Sequence, residues 1–591
     1  MEAVERLRSV GLRVRAVCAL APHVLDLRPG AHASPATLLE RNAREHAGAV
    51  ALLFENRRYT WSELEQHANR WARLLVREGV ARGDVVALVM DNRPEYVFAL
   101  LGASKLRAIT ACVNTNVQGA ALAHALRITR ATVVLAGSEH EAAVTDVLGD
   151  VRRFGAPPKL LVQSDGNVPA TRETIDERLS TMDPRALGGP PPHVDDAMSY
   201  LYTSGTTGLP KAAVVTNHRF LLAGYGFGKI AHRARPGDVI YVALPLYHGT
   251  GQWGGLGAAL ATGATLALRR RFSASAFWKD AIRFGATHVM YIGELCRYLV
   301  NQPPTPEDTR HGVRVAVGNG LRPDVWEPFQ TRFGIPMIRE FYGATEGNAP
   351  IVNLEGRRGM LGRLARGQAL VACDPETGKA RRDARGRCTR LERPGETGLF
   401  LGKLGGPLKF DGYVDAAATN AKILHDVFAR GDSWFDSGDL MTLHEAGWVS
   451  FADRVGDTFR WKGENVSTSE VALLLNGAPG VLETNVFGVS LPGTDGKAGM
   501  ACLVVAPGFD LDAFGRYAGE ALPRYARPLF VRLLHDMRVT STLKHRKDEY
   551  RNEGYDPART GDPLFASVDG RYLPLTPELH AQIRAGTVAP G

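Results

Sequence analysis

The chain has 591 residues, of which 45% are apolar and 23% are charged, and its formal net charge is +9 at pH 7. This length is too great for a single hydrophobic core, so two or more domains are expected. The charge suits anionic ligands or an anionic membrane surface. Nucleic acid is not indicated, because the longest basic run, residues 269–271, is too short for a binding arm.

The N-terminal segment and the cysteines bear on cellular location. Residues 1–25 combine apolar side chains with Arg6, Arg8, Arg13 and Arg15, and they lack the uninterrupted apolar stretch of a signal peptide. Such a basic amphipathic segment can lie on a membrane surface, and a helix packed on its own domain is the alternative. Six scattered cysteines without a C-x-x-C pair favour a reducing cytoplasm. No window of about 18 uncharged apolar residues predicts a membrane span.

Short apolar runs alternate with helix-like segments over much of the chain. The runs that predict buried strands are 85–90, 131–137, 159–163, 195–202, 238–245, 264–268, 287–293 and 313–320. Repeated βα units predict an α/β fold, in which ligands bind beyond the carboxyl ends of the strands. The stretches richest in reactive side chains, 203–211, 245–248, 318–320 and 341–348, fall at such positions.

The pattern changes near residue 456. Beyond it, short strands at 485–490, 500–507 and 528–534 surround one helix near 511–522. We therefore expect a large N-terminal domain of mixed βα layers over 1–455 and a small α+β C-terminal domain over 456–591.

The stretch YTSGTTGLPK, residues 202–211, predicts a phosphate site. Its glycines let the backbone approach a ligand, and its hydroxyls and successive amides can bind phosphate oxygens. Lys211 adds a positive charge. The spacing Gly205-x-x-Gly208-x-x-Lys211 differs from the Walker motif, so a different nucleotide enzyme is indicated. A plain surface loop is the alternative.

A second glycine pattern points elsewhere. Gly249, Gly251 and Gly254 have the spacing of the dinucleotide fingerprint, and arginines follow the next predicted strand. Alone, this pattern suggests an NADP-dependent oxidoreductase, but it is a weak signal.

Several motifs occur together in a fixed order. After residues 203–211 come EFYGATEGN (340–348), FDSGD (435–439), DRVGDTFRWKGENVSTSEV (453–471) and STLKHRK (541–547). In this order and spacing they resemble the adenylate-forming superfamily of acyl-CoA synthetases, adenylation domains and luciferases. Longer strings resemble the fatty-acid transport protein / very-long-chain acyl-CoA synthetase family; they are YIGELCRYL (291–299), GNGLRPDVWEPF (318–329), FDGYVDAAAT (410–419), LPRYARPLFVRLL (522–534) and EGYDPARTGDPLF (553–565). The resemblance runs from about Ala51 to about Leu575.

The resemblance implies a two-step reaction. A carboxylate attacks the α-phosphate of ATP to give acyl-AMP and pyrophosphate, and the thiol of CoA then displaces AMP. The implied cofactors are ATP, Mg²⁺ and the co-substrate CoA. Cations and oriented dipoles must offset the repulsion between the two anions of the first step.

The family's nucleotide-binding residues carry over onto matching positions. The residues implied at the β- and γ-phosphates are Thr203, Ser204, Gly205, Thr206, Thr207, Gly208 and Lys211. Those implied at the adenine are Gly318, Asn319, Gly320, Tyr342, which would stack on the base, and Gly343. Those implied at the α-phosphate, metal and ribose are Thr345, Glu346 for Mg²⁺, Asp439 for both ribose hydroxyls, and Arg454 for ribose or phosphate.

The C-terminal motifs imply roles at the acyl-adenylate, at a hinge between the domains and at the CoA site. Lys544 would reach the acyl-adenylate, with Lys547 as the fallback and an ordinary charged stretch as the alternative. Residues 455–457 would form the hinge between the domains, and glycine at 456 suits that role. Gly463 would border the CoA tunnel.

The segment after residues 245–248 is expected to line the acyl site. His248 would lie between the acyl and CoA tunnels, or would be a structural histidine. Five glycines would leave room for a long apolar chain that Trp253 caps or bends; they are Gly249, Gly251, Gly254, Gly255 and Gly257. Apolar pockets do not fix chain length, so a bulkier carboxylate such as a sterol side chain is an alternative.

The sequence therefore predicts a fatty acid–CoA ligase for long or very long chains, cytoplasmic or peripheral at a membrane. An acyl-AMP ligase that loads a carrier protein is the second hypothesis. A non-catalytic fatty-acid uptake or binding protein is the third, although uptake by trapping acids as thioesters would also follow from the enzyme. The expected partners are small molecules, namely fatty acid, ATP and CoA.

Overall fold

The structure is a computed structural model. It describes residues 11–12, 14–151, 157–203, 209–374, 377–405, 409–462, 464–492, 494, 496–540 and 545–591. The sequence-predicted site residues that lie outside these ranges are Ser204, Gly205, Thr206, Thr207, Gly208, Gly463 and Lys544.

The chain divides into two compact units. The first comprises Met1–Gly320, Phe329–Arg357 and Gly405–Ile423. The second comprises Leu321–Pro328, Arg358–Leu404 and Leu424–Gly591. The predicted boundary between residues 455 and 456 separates parts of the chain that are expected to move relative to each other, and such parts need not coincide with compact units. This boundary stays a prediction.

The first unit contains two largely parallel sheets. Their strands are β1 (Val50–Phe54), β2 (Arg57–Thr60), β3 (Val85–Val89), β4 (Ile109–Cys112), β5 (Val133–Gly137), β6 (Lys159–Gln163), β7 (Ala197–Thr203), β8 (Lys211–Thr216), β9 (Val239–Val242), β10 (Thr265–Leu268), β11 (His288–Ile292), β12 (Val315–Asn319), β13 (Met337–Tyr342) and β14 (Ile351–Asn353). One sheet has the order β14-β13-β12-β11-β9-β10-β1-β2 and the other β6-β5-β3-β4-β7-β8. The edge strands β2, β8 and β14 are antiparallel to their neighbours.

The eight strands predicted from apolar runs are confirmed as β3, β5, β6, β7, β9, β10, β11 and β12. Several of them are buried on both faces, as in β3, β5 and β11, where every residue is buried. This is why they form apolar runs instead of alternating patterns.

Helices cover the sheets of the first unit. The α-helices are Val24–Leu27, Pro35–Glu45, Trp61–Arg77, Pro94–Lys105, Gly119–Ile128, Glu141–Val151, Asp176–Ser180, Asn217–Tyr225, Gly249–Gly251, Ala258–Thr262, Phe277–Arg283, Gly293–Val300, Glu307–Arg310 and Ala416–Asn420. Two segments, Gly226–His232 and Gln252–Gly257, are π-helical turns. Helix starts follow local sequence: Thr60 and Glu63, for example, form a capping box at the start of Trp61–Arg77. Across the described part of the chain, every helix is too short or too polar to cross a membrane.

The second unit begins with an antiparallel sheet of order β15-β20-β19-β17-β16. Its strands are β15 (Gly362–Arg363), β16 (Gln368–Val371), β17 (Thr397–Lys403), β19 (Ser433–Leu443) and β20 (Trp448–Arg454), and a short strand β18 (Ile423–His425) precedes β19. The helix Pro323–Arg332 spans the boundary between the units.

The C-terminal part of the second unit is α+β, as predicted. A hairpin of β21 (Phe459–Trp461) and β22 (Glu464–Val466) precedes a five-stranded sheet. Its strands are β23 (Val481–Ser490), β24 (Lys497–Val505), β25 (Phe530–Leu534), β26 (Leu564–Val568) and β27 (Arg571–Pro574), and the helices are Thr468–Leu475, Leu511–Ala521, Lys547–Glu553 and Pro577–Arg584. Phe487, Phe514 and Phe530 lie in its own apolar core.

A buried carboxylate joins the last strand of the antiparallel sheet to this C-terminal part. Asp453 is 2% exposed, and its Oδ2 accepts from the Thr468 amide at 2.7 Å and the Thr468 hydroxyl at 2.9 Å. Its Oδ1 accepts from the Arg454 amide at 2.9 Å. Asp453 therefore holds the first turn of the helix Thr468–Leu475, where a negative charge is also favoured by the helix dipole.

We expect Asp453→Ala to destabilise the second unit by about 3 kcal/mol, because it leaves buried donors unsatisfied. Denaturant unfolding followed by tryptophan fluorescence measures the change. Asp548→Ala is the matched control, since that side chain is 90% exposed, and we expect a change within about 0.5 kcal/mol. Equal effects of the two substitutions would contradict the structural role of Asp453.

Candidate functional site

The predicted phosphate loop connects the two strands of a β-hairpin. β7 ends at Thr203 and β8 begins at Lys211, and these two residues are paired across the antiparallel ladder. The loop's residues 204–208 lie outside the described residues. The Lys211 ammonium lies 5.8 Å from the centre of the Tyr413 ring, within the range of a cation–π contact. Thr203 and Lys211 are therefore brought together, and Tyr413 joins them.

Tyr413 connects the loop to the predicted metal residue. Its side chain lies near those of Glu346 and Thr203, and both affect its ionisation. Burial, together with the negative charge of Glu346, raises the pKa of Tyr413 above its usual range, so the hydroxyl stays protonated. Glu346 is itself buried, at 8% exposure. The Tyr413 ring thus has a carboxylate and an ammonium as neighbours.

Arg219 fixes the backbone that carries Thr345 and Glu346. Its Nη1 donates to the carbonyls of Thr345 at 3.0 Å and Gly347 at 2.6 Å, and its Nη2 donates to that of Glu346 at 3.3 Å. The same guanidinium binds Asp411, whose Oδ2 accepts from Nε at 3.1 Å and from the Thr216 hydroxyl at 3.1 Å. Arg219 therefore ties the motif at 341–348 to the segment at 409–413.

Sequence reasoning missed Arg219, Asp411 and Tyr413 as site residues. Asp411 and Tyr413 do lie in FDGYVDAAAT, a string that carried the family resemblance, so that string was an available signal. Arg219 had none, because a single arginine two residues into a helix is common at protein surfaces.

The predicted adenine edge is formed by the carboxyl ends of neighbouring parallel strands. Gly318 and Asn319 end β12, and Gly318 is paired with Glu340 of β13. A Cβ at position 318 would lie 2.2 Å from the Tyr291 carbonyl oxygen, so only glycine fits there. Gly320, with a φ of +78°, donates its amide to the Glu340 carboxylate at 3.0 Å.

Two features of this edge suit a ligand. The Asn319 Oδ1 atom is buried and has no hydrogen-bond partner among the described residues. A buried polar atom without a partner calls for an explanation, and a bound base supplies one. Tyr342, the last residue of β13, is half-buried, and Gly343 next to it is exposed.

His248 begins the helical segment after residues 245–248. Its Nδ1 accepts from the Thr250 amide at 3.4 Å, as a residue that caps a helix does. Its predicted position between an acyl and a CoA tunnel stays a prediction.

Protein atoms lie beside the Cα atoms of the five glycines that are expected to line an acyl pocket, and the pocket itself stays a prediction. A Cβ at Gly251 would lie 2.3 Å from the Pro245 carbonyl oxygen, and one at Gly255 would lie 2.6 Å from Val242. The corresponding neighbours are Trp253 for Gly249, Met290 for Gly254 and Gly224 for Gly257. These glycines allow the helical segment to pack closely on the sheet and on a neighbouring helix. Protein atoms therefore fill the space in which the glycines of a dinucleotide fingerprint would receive a nucleotide.

In the second unit, the two predicted ribose residues are neighbours. Asp439 of β19 is paired with Arg454 of β20, and the Arg454 Nε atom lies 3.5 Å from the Asp439 carboxylate. The arginine side chain is 52% exposed, so this ion pair contributes little to stability and leaves the guanidinium accessible.

The predicted hinge has a positive φ at one residue. Gly456 has a φ of +89°, and the amide of Val455 before it donates to the Gly438 carbonyl at 2.9 Å. Asp457 after it forms ion pairs with Lys547 at 3.4 Å and Arg551 at 3.3 Å. Lys547 also donates to the Thr468 hydroxyl at 2.8 Å, so the fallback lysine already has structural partners.

Comparison with known proteins defines the class. The family model described as AMP-binding enzyme matches residues 39–398. The solved anthranilate CoA ligase AuaEII, in complex with anthranoyl-AMP, superposes with a TM-score of 0.77 at 22% identity, over 89% of this chain and 98% of that chain. This likeness shows the fold, a large N-terminal part with a smaller C-terminal part.

The chain belongs to the AMP-binding enzyme family. Within it, the chain is 42% identical to long-chain fatty acid transport protein 1 of Mus musculus over 89% of this chain and 83% of that protein. It is 39% identical to the medium/long-chain-fatty-acid–CoA ligase FadD6 of Mycobacterium tuberculosis, over 95% of this chain and 92% of that protein.

We expect Arg219→Lys to weaken AMP binding about tenfold or more, because lysine keeps the charge but cannot donate to several carbonyls at once. Isothermal titration with AMP measures the affinity. Arg235→Lys is the matched control at an exposed position, and it should leave the affinity unchanged. An unchanged affinity in Arg219→Lys would show that the anchored loop does not position the nucleotide.

Proposed function

We propose that this chain is an ATP-dependent CoA ligase for long- or very-long-chain fatty acids that works through an acyl-AMP intermediate. The observation that carries the proposal is the buried cluster in which Tyr413 joins Lys211, Thr203 and Glu346. It places a cation, hydroxyls and a carboxylate at the ends of strands, where α/β folds bind nucleotides. The family membership and the ligase relative at 39% identity agree with it.

In the first step, an oxygen of the fatty acid carboxylate attacks the α-phosphorus of ATP, and the bond from that phosphorus to the bridging oxygen breaks. Pyrophosphate leaves with the bonding electrons. Lys211 would stabilise the negative charge of the leaving phosphates, and Thr345 would donate to the α-phosphate. Asn319 and Tyr342 would hold the adenine. The base would bind to the Asn319 Oδ1 atom, which has no partner among the described residues.

Glu346 fits a magnesium site. Mg²⁺ prefers carboxylate and phosphate oxygens, and Glu346 is a buried carboxylate whose negative charge acts on the neighbouring Tyr413. When bound, the ion would neutralise charge on the phosphates of ATP.

In the second step, the sulfur of CoA attacks the acyl carbonyl carbon and AMP leaves with the electrons of the broken carbon–oxygen bond. Asp439 and Arg454 would hold the ribose and phosphate of the nucleotide. Lys544 would contact the adenylate in the first step, and rotation at Gly456 would then bring Gly463 to the CoA tunnel.

Two other functions share parts of this site. An acyl-AMP ligase would use the same nucleotide residues and deliver the acyl group to a carrier protein instead of CoA. A non-catalytic fatty-acid uptake protein would need none of the phosphate-binding residues. Trapping of acids as thioesters makes uptake a consequence of the proposed reaction, which reconciles it with the transport-protein relatives.

We expect pyrophosphate release from ATP and Mg²⁺ with long-chain acids, and acyl-CoA only when CoA is added. Mass spectrometry of the products identifies the thioester. Lys544→Ala should lower the rate of adenylation by about 100- to 1000-fold, as when one charge-stabilising donor is removed. Lys497→Ala, at an exposed strand start, is the control and should keep the wild-type rate.

The same assay separates the alternatives. Accumulation of acyl-AMP without thioester would favour the carrier-loading ligase. Absence of pyrophosphate release with every acid tested would overturn the proposed function.

We further propose that the N-terminal segment places the enzyme peripherally at a membrane. Residues 14–20 are helical, with Val14 and Val17 55% and 68% exposed at helical spacing, and Leu25 of the separate helix Val24–Leu27 is 65% exposed. On the inner side, the ring of His23 stacks on Tyr225 at 4.1 Å. The segment thus packs on its own unit and presents an apolar outer row, which suits the interface of a lipid bilayer.

We expect the wild-type chain to co-sediment with liposomes of mixed neutral and acidic phospholipids, and Val17→Glu with Leu25→Glu to reduce the pelleted fraction several-fold. The charges would have to enter the apolar boundary of the bilayer. Val168→Glu, at an exposed apolar residue elsewhere on the first unit, is the control. Equal pelleting of all three proteins would refute membrane binding by this segment.

A further inference from the structure

The first unit buries a positive charge that has no counter-ion among the described residues. Arg339, on β13, is 4% exposed. Its Nη1 donates to the Ala231 carbonyl oxygen, and its Nε has no acceptor among the described residues. Within that part of the chain, no carboxylate lies at ion-pair distance from it. Burial lowers the pKa of Arg339 to about 10, so the guanidinium remains charged at neutral pH.

A buried histidine lies close to this arginine. His232 is 1% exposed, and its Nε2 lies 3.2 Å from the Gly254 carbonyl oxygen, to which it can donate. Its Nδ1 is buried without a partner among the described residues. Burial and the charges of neighbouring groups, Arg339 among them, lower the pKa of His232, so the ring is neutral. A histidine ring is either neutral or positively charged, so His232 does not neutralise Arg339.

His232 contacts the segment that is expected to line the acyl site through the Gly254 carbonyl, and Arg339 is bound to Ala231, the residue before His232. Side chains alternate between the two faces of β13, so Arg339 and Phe341 share one face while Glu340 and Tyr342 share the other. Phe341 contacts Phe227 of the π-helical turn, with ring centres 4.6 Å apart, and both aromatic rings are only half-buried.

A further donor of this segment lacks a partner. The Trp253 indole nitrogen is buried and unpaired among the described residues. A pocket built only for a hydrocarbon chain would leave such donors unsatisfied, at a cost of about 1–3 kcal/mol for each group. Buried polar groups are normally hydrogen-bonded, and buried charges are normally paired. The unpaired donors therefore indicate a ligand with polar atoms at this depth.

We propose that the acyl substrate carries a second oxygen-bearing group, a hydroxyl or a carboxylate, that accepts a hydrogen bond from Arg339 beside His232. The inference rests on the proposed function and narrows its substrate class. A hydroxyl would also donate to the His232 Nδ1, whereas a carboxylate would neutralise the guanidinium. Either group lies on the acyl chain away from the carboxylate that reacts with ATP.

A purely structural role for Arg339 is the competing explanation. Its bond to the Ala231 carbonyl holds the end of the π-helical turn, but one neutral acceptor does not offset the desolvation of a whole guanidinium. The two explanations differ in selectivity: a structural arginine affects all acids equally, and a recognition arginine affects only those with the second group.

The test is acyl-CoA formation by the full chain with acids of matched carbon number. One set is unsubstituted, one carries a terminal hydroxyl, and one carries a second carboxylate. We expect at least one substituted set to have a kcat/KM about tenfold above the unsubstituted set, since sites built to hydrogen-bond a group reject analogues that lack it. Arg339→Met should lower the ratio of substituted to unsubstituted kcat/KM by about tenfold.

Arg358→Met, which removes an exposed ion pair with Glu327, is the matched control and should keep the ratio. Should Arg339→Met not fold, the wild-type comparison still decides. A wild-type preference for unsubstituted acids, or an equal loss on all acids in Arg339→Met, would overturn the inference. Failure to form a thioester from any acid would overturn the proposed function itself, so the two failures are distinguishable.

Discussion

The candidate site depends on the guanidinium of Arg219. Five hydrogen bonds from this one group bind the carbonyls of residues 345–347 and 409 and the Asp411 carboxylate. A planar cation with a fixed set of donors suits this task better than any other side chain. Because the backbone of both segments is held, Glu346 and Tyr413 meet without each having to be ordered by the ligand, which reduces the entropy cost of binding.

Local chemistry explains why much of the fold was predictable. The parallel strands are buried on both faces, so β3, β5 and β11 stand out in the sequence as apolar runs. The connection between β7 and β8 is predicted to bind a ligand because its composition is unusual at that one place. By contrast, Arg219 and Asp411 are 192 residues apart in sequence, and their contact is created only by tertiary packing.

Glycine positions show where sequence reasoning fails. A glycine allows a close approach, but the sequence does not say whether ligand or protein makes it. At Gly318 the constraint is the Tyr291 carbonyl beside a predicted nucleotide edge, and at Gly257 it is the backbone of Gly224. The neighbour of the first is a strand carbonyl and that of the second is the backbone of another helix, although the two residues look alike in sequence. Only the neighbours in space distinguish them.

The residues before and after Gly456 are both held by contacts within the second unit, so we expect the hinge movement to occur at Gly456 itself. Upstream, Val455 is bound to Gly438 within the antiparallel sheet. Downstream, Asp457 is bound by Lys547 and Arg551, which ties it to the helix Lys547–Glu553. Among the described residues beyond its chain neighbours, no heavy atom lies within 4 Å of the place where a Cβ would stand at position 456, so their packing does not require glycine there. The φ of +89° favours glycine at this position, because residues that carry a side chain rarely adopt such an angle. The residue is therefore selected for its backbone, as a pivot between two anchored segments requires.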